Sequence, residues 1–100
     1  MDFALQLATS AKQRLPNDPN VDDTIGWIYY KKDLPSLAVR PLHDSLRKRP
    51  DVAEVVYHLG MTYAKLGDKV KARETLERAL KLDPRVGGDA ARRALASVSQ

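Results

Sequence analysis

Residues 52–84 read VAEVVYHLGMTYAKLGDKVKARETLERALKLDP, and their pattern decides the fold. Val56, Leu59, Gly60 and Tyr63 recur at helical spacing along one face. Gly67 and Asp68 interrupt that pattern: Gly67 suits a left-handed helix end and Asp68 caps a following helix. Ala72, Leu76, Ala79 and Leu80 make a second stripe, and Pro84 closes it. At the front, Asp51 followed by Glu54 reads as a capping box. The stretch therefore predicts two helices joined by a tight turn.

The same pattern lies immediately upstream. Displacing the chain against itself by thirty-four residues superposes nine identical pairs without a gap: Val21/Val55, Gly26/Gly60, Tyr29/Tyr63, Lys31/Lys65, Ala38/Ala72, Leu42/Leu76, Leu46/Leu80, Pro50/Pro84 and Val52/Val86. Chance gives about two at ordinary residue frequencies. In this first unit Asp18 caps, Pro19 takes the first helical position, and Asp33 with Pro35 restarts the chain. Ile25, Gly26 and Tyr29 form one stripe. Ala38, Leu42, Ser45 and Leu46 form the other, which Pro50 ends. A fixed period of this size is the signature of a stacked helical array.

These ordered residues resemble the tetratricopeptide repeat family. Its pattern of a large apolar residue, Leu-Gly, Tyr, a small Ala, an aromatic or Leu, another Ala and a closing Pro is carried here by Val56, Leu59, Gly60, Tyr63, Ala72, Leu76, Ala79 and Pro84. The first unit carries it as Ile25, Gly26, Tyr29, Ala38, Leu42, Ser45 and Pro50. The resemblance implies an all-α fold, an α-solenoid of antiparallel helix pairs wound as a right-handed superhelix. Gly60, Ala72 and Ala79 would let neighbouring helices approach closely. Two positions depart from the pattern. Asp22 stands where the family has a large apolar residue, which predicts loose packing there. Pro41 lies inside a helix, which predicts a kink.

Carrying the register backwards puts Ala4, Ala8 and Ala11 on small-residue positions and Pro16 on the closing Pro. Residues 2–16 then read as the second helix of a truncated repeat, 19–52 and 53–86 as repeats, and 89–99 as a capping helix begun by Asp89 after Gly87-Gly88. The predicted helices are 2–15, 19–32, 35–49, 52–66, 69–82 and 89–98. The half repeat reads as the end of a longer array. The run from Thr24 to Lys32 is similar to the last repeats of large bacterial tetratricopeptide proteins, some linked to exopolysaccharide production and surface-protein export.

The 100 residues suit one domain, with 43% hydrophobic and 30% charged residues and a net charge of +4. The absence of cysteine removes disulfides and thiolate chemistry and suits cytoplasm and periplasm equally. No apolar run approaches the ~20 residues that span a bilayer. His43 and His58, on different helices, read as surface residues without metal-ligand spacing, and no nucleophile or phosphate-loop motif is present. No catalytic residue, metal site or cofactor is expected. The charge is dispersed, which points away from nucleic acid.

In this family the first helices of successive units line a concave groove. The resemblance places Asp23, Trp27, Tyr30 and Lys31 there from the first unit, and Tyr57, Met61, Ala64 and Lys65 from the second. Aromatic and Met surface beside a few charges suits an extended peptide or helix. Some members clamp a partner's C-terminal carboxylate with Lys and Asn. Here the Asn places hold Trp27 and Met61, so tail clamping is not the expectation. The alternative function is that of a structural end segment which self-associates into a weak homodimer through an N-terminal face containing Trp27 and Ile28.

Overall fold

The turn that joins the two stripes of the second unit forms as its residues dictate. In a computed structural model, which describes residues 2–100, Gly67 adopts φ 82° and Asp68 accepts a hydrogen bond from the Lys71 amide at 3.1 Å. Asp33 takes the matching left-handed position of the first unit, at φ 64°. Six helices result among the described residues: α1 (Phe3–Arg14), α2 (Pro19–Lys31), α3 (Pro35–Lys48), α4 (Ala53–Leu66), α5 (Lys69–Leu82) and α6 (Ala90–Val98). Their ends fall within two residues of the sequence expectation, and the architecture is the expected all-α solenoid. None is long and apolar enough to cross a membrane.

Each helix packs antiparallel on the next, and α4 also touches both α2 and α6. They form the inner layer; α1, α3 and α5 form the outer one. The stack measures 41 × 27 × 21 Å. Leu42 and Leu76, both fully buried, lie where α2 meets α3 and α4 meets α5. A Cβ at Gly26 would come within 2.5 Å of Leu42, and one at Gly60 within 2.8 Å of Leu76. Both glycines are therefore notches that receive a leucine, while Ala38, Ala72 and Ala79 are fully buried beside them.

Several local expectations are corrected. Asp51 and Glu54 form no capping box; α4 starts at Val52 without a side-chain cap, because Arg78 holds Asp51 at 3.1 Å and Glu54 turns to His58. Asp89 precedes α6 without capping it. Asp22 does not loosen its helix. It is 1% exposed and binds Lys12 of α1 at 2.6 Å and Lys48 of α3 at 2.9 Å, so one carboxylate ties three helices. Ser45, in a small-residue position, donates its hydroxyl to the Pro19 carbonyl at 2.8 Å. α3 runs unbroken through Pro41, in keeping with the single helix expected there. Leu37, whose carbonyl lacks its helical partner there, is 52% exposed.

Two substitutions test this packing. Gly60→Leu should lower stability by about 1–3 kcal/mol or more, because Leu76 has no space to move into; urea unfolding followed by circular dichroism measures it. Asp22→Ala should cost about 1.5–3 kcal/mol, the range of hydrogen bonds to a charged group, since both lysine ends reach solvent. An unchanged urea midpoint would mean that the triad adds no net stability.

Candidate functional site

On the inner layer, Trp27 of α2 packs against Tyr57 and His58 of α4. The Trp27 ring lies parallel to Tyr30, at 4.3 Å between centroids and 3° between planes. It is also nearly parallel to His58, at 3.9 Å and 18°. Two rings so close to one indole cannot share a face, so Tyr30 and His58 cover opposite sides of Trp27. The Lys65 ammonium lies 4.2 Å from the Tyr30 centroid, and its Nζ donates to the Tyr30 carbonyl at 3.3 Å. A column of Lys65, Tyr30, Trp27 and His58 thus couples the inner helices of the two repeats. Stacking and cation–π attraction favour this arrangement beyond the area buried.

Carboxylates finish the column at its histidine end. His58 Nδ1 is 2.7 Å from Asp23, and its Nε2 is 3.3 Å from Glu54. The imidazole is buried, contrary to its reading as a surface residue. His43 is exposed, but its Nε2 meets the Tyr63 hydroxyl at 2.8 Å across the α3–α4 contact. The described residues hold no group of three or more His, Cys, Asp or Glu placed to bind a metal ion.

All eight residues assigned to the groove lie on α2 and α4, with differing access. Asp23, Trp27, Tyr30, Met61 and Ala64 are half-buried, while Lys31 and Lys65 are exposed. Tyr57 is only 7% exposed, covered by Trp27 at 5.9 Å and by the chain at Gly87. A Cβ at Gly87 would sit 2.6 Å from the Tyr57 ring, and this glycine also holds φ 66°. Tyr57 is therefore a floor, and Gly87 is more than a turn residue. Burial raises the Tyr57 hydroxyl above its ordinary value, with Tyr30 and Glu54 adding to it. Trp27 turns downstream toward α4. Ile28 is half-buried. On α6, one period further on, Leu95 takes the place of Met61 and Val98 that of Ala64, both packed against the core.

Sequence reasoning missed His58, Glu54, Gly87 and the α6 wall. The wall was within reach, because thirty-four residues added to Met61 and Ala64 give Leu95 and Val98. The His58–Asp23 pair carries no such signal, since it joins different positions of two units.

Residues 53–86 match the model of the tetratricopeptide repeat family. The second unit is a tetratricopeptide repeat. The chain's solved neighbours agree. MamA MSR-1 C2 superposes with a TM-score of 0.78 at 26% identity, over 94% of this chain and 53% of that one. The Sgt2 TPR domain from Aspergillus fumigatus gives 0.84 at 20% identity, over 95% and 63%. The chain thus spans between half and two thirds of each neighbour's length. No curated protein matches it.

The buried phenol sets an alkaline limit. Its raised value means that the folded state favours the neutral form. The stability this gives is fully present below the ordinary tyrosine value of 10.0 and is lost as pH rises through the folded value. Tyr57→Phe should therefore flatten the alkaline arm of a pH–stability curve measured by urea unfolding.

Proposed function

We propose that this protein is an interaction module that receives an extended peptide or a helix along α2, α4 and α6. The proposal takes residues 19–52 and 53–86 as full repeats, 2–16 as the second helix of a truncated one and 89–99 as the cap. Tetratricopeptide repeats are protein-binding scaffolds in general. The observation that carries the finer reading is the half-exposed strip of Trp27, Tyr30, Met61 and Ala64 held over a rigid ring column. A surface already locked by its own stacking loses little freedom when a ligand arrives, so more of the contact energy appears as affinity. Lys31 and Lys65 lie toward one end of the strip, Asp23 and Glu54 toward the other. Such an arrangement would orient a peptide by its charges.

Peptides selected from a random display library provide the probe. Selected sequences should quench or shift Trp27 fluorescence on binding. Met61→Arg with Ala64→Arg should weaken them at least tenfold while the far-ultraviolet circular dichroism stays unchanged. Selected peptides that bind the double variant as tightly as the parent would place recognition elsewhere.

A further inference from the structure

The exposed apolar side chains are not spread evenly. Among the described residues eight large ones are exposed, and six of them, Phe3, Leu7, Leu34, Leu37, Leu66 and Val70, fall in the segments 2–7, 31–37 and 65–71. Because successive helices alternate in direction, these segments share one edge of the solenoid: the starts of α1, α3 and α5 and the ends of α2 and α4. Two contacts confirm their adjacency. Asp2 pairs with Lys32, and Asp33 lies 3.5 Å from Lys65. Phe3 occupies the register position of Leu37, which is 52% exposed inside a complete repeat. Its exposure is therefore a property of the position. The opposite edge carries only Leu15 and Leu82 among the exposed large hydrophobics.

The charges of this edge point to its partner. The three segments contain Lys31, Lys32, Lys65, Lys69 and Lys71 and no arginine. Among the described residues, Lys31, Lys69 and Lys71 lie within ion-pair distance of no carboxylate. α1, α3 and α5 all direct their positive poles to this edge; Asp2 and Asp68 cap α1 and α5, α3 has no side-chain cap, and none has an acidic residue in its first turn. Lys69 and Lys71 even stand in the first turn of α5, where a cation opposes the helix dipole. The negative poles of α2 and α4 reach the same edge, but Lys31 and Lys65 stand in their last turns. Protein interfaces favour arginine and are depleted in lysine. Flexible lysines beside leucine and phenylalanine are suited to a lipid surface, where the stems lie along acyl chains and the ammonium groups reach headgroups. The edge also projects freely, since nothing lies within 4 Å of a Cβ built at Gly67.

We propose that this edge docks on an anionic bilayer surface, with the apolar side chains dipping into the headgroup boundary and the lysines meeting lipid phosphates and carboxylates. The edge shares Lys31 and Lys65 with the proposed groove, while its exposed apolar side chains, Lys69 and Lys71 lie outside it.

Flotation of the full chain with vesicles tests it. The protein should float with phosphatidylcholine vesicles containing phosphatidylserine and not with phosphatidylcholine alone, and added salt should release it. Leu37→Asp with Val70→Asp should abolish binding; both side chains are more than half exposed, so the circular dichroism should not change. Lys69→Ala with Lys71→Ala should lower affinity about twenty-five-fold, about fivefold for each charge. Leu15→Asp on the opposite edge should have no effect. Failure to float with anionic vesicles would overturn the proposal, as would equal loss with Leu15→Asp. A dimer in sedimentation that Leu37→Asp with Val70→Asp dissociates, without vesicle binding, would assign the edge to a second copy instead.

Discussion

The notch at Gly26 and Gly60 is the constraint on which the rest of the structure depends. A leucine from the second helix of each pair enters the space a Cβ would fill, so the paired helices approach closely and their crossing is set. Everything beyond the pair inherits that geometry. The small alanines at 38, 72 and 79 are needed because the backbones are already close. The inner helices face one another in register because both units use the same notch. A larger residue there would shift the whole inner face.

Coupling between repeats uses different chemistry. Within a pair the apolar notch repeats identically, and in the first unit Ser45 and Lys48 add polar contacts to it. Between pairs the coupling is carried by groups that occur once: Asp22 with Lys12, His43 with the Tyr63 hydroxyl, and the Lys65–Tyr30–Trp27–His58 column. Buried polar and ionic contacts of this kind tolerate few alternative pairings, because each unpaired partner is costly. They fix which unit follows which, whereas the apolar notch would accept any copy of the repeat.

This division explains what could be read in the sequence. The helices, the Gly67 turn and the leucine notches were legible because they recur every thirty-four residues, and recurrence is visible in one dimension. The groove residues were legible as a face, since helical spacing alone puts Trp27 and Tyr30, or Met61 and Ala64, side by side. Asp22 was misread as a packing defect because its partners lie ten and twenty-six residues away on separate helices. His58 was misread because its ligands belong to two different helices. The Asp51–Glu54 capping box failed for a related reason: Arg78 and His58, both long-range or cross-turn partners, compete for the same carboxylates. Local rules lose where a tertiary partner offers the same hydrogen bond with an added charge.

The same division limits how the concave face can change. Tyr57 cannot vary freely, since its ring fills the space that Gly87 leaves open and supports Trp27. Trp27 is bound on both faces, and His58 is buried between carboxylates. Met61, Ala64 and Leu95 have no such double duty; each is half-buried. Substitution at those three positions would alter the wall without disturbing the column. A fixed aromatic spine with replaceable neighbours lets one scaffold change its ligand while keeping its repeats in register. In the proposed groove, specificity would therefore belong to the small and flexible side chains around Trp27 more than to Trp27 itself.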